Sequence, residues 1–133
     1  MNPLRSLAAT TLLVLAASLS TGAHAQVAGL GRADLLKEDI SLPGKELVQV
    51  RVDFGQNVKA PRHSHPGEEV AFVLEGTLEY QIDGQPPVTL KAGQTLFIPA
   101  GAVHSARNVH GGESKELATY IVEKGKPLVT LAK

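Results

Sequence analysis

The chain has 133 residues and a mass of 14.0 kDa, with thirteen basic residues, thirteen acidic residues and no cysteine. That length suits one domain and excludes an enzyme carrying its own nucleotide-binding half. The even charge balance lacks the basic surplus that nucleic-acid binding needs, and the missing thiols exclude disulfides, thiolate metal sites and cysteine nucleophiles.

Met1 to Ala25 reads as an export signal. Arg5 gives a positive start, Leu12 to Leu19 is mostly apolar, and Ala23-His24-Ala25 forms a small-x-small cleavage site. Cleavage after Ala25 would leave one domain over residues 26–133, with twelve basic against thirteen acidic residues and a net charge of −1. The apolar run is short for a membrane span. The expectation is therefore a periplasmic or secreted protein with no stable membrane insertion, held by burial alone.

The remaining chain has the periodicity of strands. Only Ala33 to Asp39 has a helical alternative, and it suits an edge strand or a single turn equally well. Leu42-Pro43-Gly44 turns the chain into a strand in which Val48, Val50, Val52 and Phe54 alternate with Gln49, Arg51 and Asp53. Glu69 to Leu74 reads as a strand covered on both faces. Leu78, Tyr80 and Ile82 alternate up to the hairpin pair Asp83-Gly84. Pairing resumes at Val88-Thr89-Leu90, turns at Lys91-Ala92-Gly93, and continues through Thr95–Ile98, Val103–Val109 and Leu117–Val122. The tail from Gly125 to Lys133 is expected along an edge. Turn residues at this spacing predict an all-β sandwich or barrel of antiparallel strands.

The histidines cluster. His63 and His65 are two apart, so on a strand they share a face. Pro66-Gly67 bends the chain, and Glu69 opens the next strand within reach of the same point. His104 follows Pro99-Ala100-Gly101 at the head of a later strand and closes the set from across the sheet. Three neutral imidazoles and one carboxylate would leave a divalent ion with residual positive charge and, in octahedral coordination, two open positions. Without sulfur the set suits iron, manganese, nickel, copper or zinc. Binding should weaken below roughly pH 6, where free imidazole protonates. The alternative is a surface turn with solvated side chains.

Residues 55 to 108 resemble the two conserved motifs of the cupin superfamily. The first is carried by Gly55, His63-Ser64-His65, Glu69 and Gly76. The second is carried by Gly93, Pro99-Ala100-Gly101, His104 and Asn108. All spacings of the second motif agree; in the first, seven residues rather than five separate Gly55 from His63. The resemblance implies a single-domain jelly-roll-like barrel with one divalent transition metal held by His63, His65, Glu69 and His104. It places Glu69, rather than Glu68, at the carboxylate position and suggests Glu69 as a base.

Three functions follow from the resemblance. One is a metal-dependent dioxygenase acting on a small organic substrate such as a dihydroxylated aromatic. Another is an exported metal- or ligand-binding module without turnover. The third is a metal-dependent decarboxylase or isomerase, which needs an acid–base group in the pocket that the sequence does not identify. A homodimer through exposed edges is the expected assembly.

Phe72, Phe97, Tyr80 and Tyr120 read as core or pocket wall. Arg62 and Arg107 flank the histidines and would orient an anion unless they lie on the surface. Asn108 reads as a brace for a turn or for a ligand, and His110 as a loop residue. Gly29-Leu30-Gly31 lacks the strand–helix setting of a dinucleotide loop.

Overall fold

Alternation of apolar and polar side chains sorts the strands into two facing sheets. The computed structural model describes residues 26–133, so the export signal expected over residues 1–25 lies outside the described residues. Ten strands follow in order: β1 Leu30–Asp39, β2 Lys45–Phe54, β3 His63–Ser64, β4 Gly67–Glu75, β5 Thr77–Ile82, β6 Val88–Lys91, β7 Thr95–Ile98, β8 His104–Asn108, β9 Ser114–Glu123 and β10 Thr130–Leu131. They form two five-stranded antiparallel sheets with orders β1-β2-β9-β4-β7 and β10-β3-β8-β5-β6. The fold is the expected all-β jelly-roll type, with two sheets that do not close on each other.

The alternation in the sequence has a direct counterpart in burial. Val48, Val50 and Phe54 of β2, Ala71 and Val73 of β4, Leu78 and Tyr80 of β5, and Ala118, Tyr120 and Val122 of β9 all point between the sheets. The helical alternative at Ala33–Asp39 loses to tertiary pairing. β1 pairs with β2 from Leu30 opposite Phe54 to Asp39 opposite Glu46, with a bulge between Asp34 and Leu36. A helix there would have left a long row of β2 backbone groups without ladder partners. The tail does pack along an edge: Thr130 and Leu131 pair with Ser64 and His63.

One expectation is corrected. The segment Glu69–Leu74 is covered on one face only, because Val70, Phe72 and Leu74 point outward and are exposed. Phe97, on the neighbouring β7, is 58% exposed and lies on the same outer face. Phe72 and Phe97 are therefore neither core nor pocket wall. A strand that is apolar on both faces implies a cover on each side, but it does not say that the cover belongs to the same chain.

Two residues lock the ends of strands that carry the site. Gly67 passes so close to β9 that an added Cβ would sit 2.0 Å from the Ile121 carbonyl oxygen. Asn108, 1% exposed, donates from its amide to the carbonyls of Phe54, Gly55 and Gly112 and accepts from the His110 amide and the Ser114 hydroxyl. It saturates its hydrogen-bonding capacity on backbone groups and the Ser114 hydroxyl, so it braces loops rather than a ligand.

Candidate metal centre

The structure brings His63, His65, Glu69 and His104 together, by a route that differs from the expected one. His104 does not cross from a distant part of the sheet: it is the direct antiparallel partner of His63. Glu69 comes from the facing sheet, where it pairs with Ile98 and Tyr120. Pro66-Gly67 is the point at which the chain leaves one sheet for the other, which is why the carboxylate meets the imidazoles across the sandwich.

The three rings are mutually close, with centroids 4.4 to 5.1 Å apart, and one ligand atom from each lies within 4.8 Å of the others. Three imidazoles so placed can hold a metal ion. Backbone carbonyls set their tautomers. The Nδ1 atoms of His63, His65 and His104 lie 2.7, 2.7 and 2.9 Å from the carbonyl oxygens of Pro61, Leu128 and Ala102. A carbonyl only accepts, so each Nδ1 carries the proton and each neutral ring presents its Nε2 lone pair.

Glu69 Oε2 lies 3.0 Å from His65 Nε2 and 3.1 Å from His104 Nε2. Yet His65 Nε2 and Glu69 Oε2 are sealed from solvent without a hydrogen bond. Two facing lone pairs repel unless a cation lies between them, and buried unsatisfied polar atoms are costly. The donor atoms thus fit a divalent ion.

Without an ion between them, the buried groups shift in different directions. Burial pushes the His63 imidazole down to about 4 and keeps it neutral. At His104, burial works in the same direction but is outweighed by the Glu69 carboxylate and the Ala102 carbonyl, so its pKa rises. Burial raises the Glu69 carboxyl, but His104 and His65 overcome it and hold it at about 2.

The site opens into a cavity of about 410 Å³ lined by Leu30, Val52, Phe54 and Val129 among others, with Arg32, Tyr80, Glu116 and Tyr120 as further polar groups. That volume suits a small organic molecule. Its space comes from small side chains: Ala60 and Ala106 line it, and Ala71 and Ala118 separate Glu69 and Tyr120 from the residues deeper in the sandwich. Tyr80 and Tyr120 are the pocket wall that the sequence indicated.

Two flanking arginines fall outside it. Arg62 pairs with Asp83 and with the Lys133 carbonyl, and Arg107 with Glu79, all on the surface. Glu116 is the group that the sequence reading missed. Period-two alternation extended back from Tyr120 and Ala118 would have placed it on the inner face.

Residues 50–122 match the family model described as a cupin domain. Dimethylsulfoniopropionate lyase DddQ of Ruegeria pomeroyi is 43% identical over 47 residues, 35% of this chain and 23% of that protein. Its crystal structure superposes with a TM-score of 0.58 and 28% identity, covering 65% of this chain and 43% of that one. Polyketide synthase CurC of Streptomyces cyaneus is 43% identical over 54 residues, 40% of this chain and 34% of that protein. This chain therefore spans between about a quarter and a third of the length of the curated relatives it matches. A recombinant oxalate oxidase in complex with glycolate superposes with a TM-score of 0.63 at 25% identity, covering 77% of this chain and 55% of that one.

Proposed function

This chain belongs to the cupin family, and from that premise we propose that it is a metal-dependent enzyme acting on a small organic molecule inside the sandwich. The observation that carries this reading is the pair His65 Nε2 and Glu69 Oε2, buried 3.0 Å apart with nothing between them to hydrogen-bond. His63, His65 and His104 would supply three neutral nitrogens and Glu69 one carboxylate, a set suited to iron, manganese, nickel, copper or zinc. An ion bound there supplies Lewis acidity beside the cavity. The protein's own part is to fix the three ring orientations through backbone carbonyls, to keep Glu69 ionised, and to surround the substrate with an apolar wall that excludes water.

Two reaction classes use such a site: oxygen-dependent, dioxygenase-like chemistry, and a lyase, decarboxylase or isomerase reaction that moves protons. The similarity to an oxidase and to a lyase supports both. Protein loaded separately with each candidate ion and supplied with small organic acids and dihydroxylated aromatics distinguishes them. Substrate-dependent oxygen uptake assigns the first class, and product without oxygen uptake the second. Tight ligand binding without product marks a binding module instead, and failure of every loaded form to bind or convert any compound overturns the reading.

A second copy of the chain is the partner we place on the outer face formed by Val70, Phe72, Leu74, Phe97 and Ile121, all exposed. A face this apolar on a small protein is characteristic of an interface. Sedimentation is expected to show a dimer that Phe97→Asp converts to a monomer; a monomeric wild type contradicts the placement. Export with removal of residues 1–25 is proposed from their sequence alone, and the mass of the mature protein tests it.

A further inference from the structure

We propose that Glu116, hydrogen-bonded to Tyr80, is a proton-holding group of the cavity that addresses a bound ligand from a position deeper in the sandwich than the three imidazoles. The inference rests on the reading of the cavity as a substrate site and adds to it the group that proton-moving chemistry requires.

The placement follows from register. On β9, Glu116 lies four residues from Tyr120, the partner of Glu69, a separation of about 13 Å at the rise of a strand. Ala118, fully buried, is the only inward side chain between them on that strand. On the facing sheet Tyr80 pairs with Ala106 while His104 pairs with Ile82, so Tyr80 lies one inward position from His104 where Glu116 lies two from Tyr120. The Tyr80 hydroxyl bridges the two sheets to Glu116 Oε1 at 2.7 Å. Both side chains line the cavity.

The surroundings keep this carboxyl protonated. Burial is the largest influence, followed by the negative charge of Glu69; together they outweigh the Tyr80 hydrogen bond and His104, and push Glu116 up to about 8. From the other packed strands the ionisable groups facing it are Glu69 on β4, Tyr80 on β5 and His104 on β8. Arg32 on β1 sits in the same cross-strand row through Val52. Tyr80 is held as the neutral phenol, by burial first and then by Glu116.

A protonated carboxyl and a phenol together carry two O–H donors, and a single hydrogen bond joins them, so one O–H remains for the cavity. In turnover the Glu116 O–H bond breaks and a new bond to hydrogen forms at the substrate atom that gains negative charge. The electron pair of the O–H bond stays on Glu116 as a carboxylate that accepts from Tyr80. No oxidant or reductant is needed.

Carbodiimides add protonated carboxyls across a C=N bond, and the adduct rearranges to a stable acylurea. Diisopropylcarbodiimide, small enough for the cavity, is therefore the probe, applied to the folded full chain between pH 6 and 9.5 and read by peptide mass mapping. The expected result is an adduct at Glu116 whose rate stays nearly level from pH 6 to about 7.5 and falls only above pH 8, whereas the rate at an exposed carboxyl in the same sample falls about tenfold per pH unit from pH 6, so the ratio of the two rises at least tenfold between pH 6 and 9.5. The adduct is absent from Glu116→Gln. Tyr80→Phe keeps the adduct but moves the midpoint of its pH dependence. Metal stoichiometry stays unchanged in both variants. No adduct at Glu116, or a rate that tracks the exposed carboxyls over the whole range, overturns the proposal. A wild type that takes up no metal yet shows the expected labelling would overturn the metal reading and leave this inference standing.

Discussion

Replacing His104 with alanine is expected to weaken binding of a divalent ion by at least about 100-fold while the protein remains folded. Loss of an outer-shell partner already costs roughly 10- to 100-fold in metal affinity, and the loss of a direct nitrogen donor costs more. His104 is 3% exposed, and its ring lies beside the existing cavity, so water can fill the space the ring leaves. Competition against a chelator of known affinity, with circular dichroism as the folding control, measures the change. Arg62→Ala is the matched control. Its guanidinium pairs with Asp83 on the surface next in sequence to His63, and its removal should leave the affinity unchanged. An unaltered affinity in folded His104→Ala removes that residue from the site.

Gly67→Ala is expected to destabilise the protein by about 3 kcal/mol, the upper end of the cost of overpacking, lowering Tm by roughly 10 °C or more. The added methyl would meet the Ile121 carbonyl oxygen at 2.0 Å and the Val122 Cα at 2.7 Å. Both are backbone atoms of a central strand and have no rotamer to retreat into. Relief would require β4 to move away from β9, and Glu69 would move with it. Gly84→Ala makes the comparison. Gly84, by contrast, has nothing within 4 Å of an added Cβ, and its φ is +78°, so its cost is limited to the left-handed backbone penalty of about 1 to 2 kcal/mol. Thermal melts of both variants decide it: equal, small losses would mean that the β4–β9 contact is softer than the structure shows.

Most of the strand layout was legible because it is a local property. Alternation in Val48–Phe54 and Leu78–Ile82, turn glycines at Gly84 and Gly93, and the tight spacing of His63 and His65 require only a few neighbouring residues to interpret. What was not legible depends on the path of the chain through space. That His104 is the ladder neighbour of His63, while Glu69 approaches from the facing sheet, follows from strand order, which no short window encodes.

Glu116 shows a different limit. It stands between Lys115 and Leu117, so a charged residue there reads as an outward-facing strand start. Only when β9 is extended back past Leu117 does the alternation of Ala118 and Tyr120 put it on the inner face. Phe72 and Phe97 show the reverse: large aromatics are ordinarily interior, and these two lie exposed on the outer face of β4 and β7. The tautomers of the three imidazoles also escape the sequence, because the carbonyls that set them include Leu128, 63 residues away from His65.

The most direct test is the metal content of folded wild-type protein, never exposed to chelator or acid, after incubation with excess divalent ion at pH 7.5 and desalting. Mass spectrometry of the elements is expected to find one transition metal ion per chain. Folded protein that carries none, and that gives no heat on titration with zinc, iron, manganese, nickel or copper, would contradict the account.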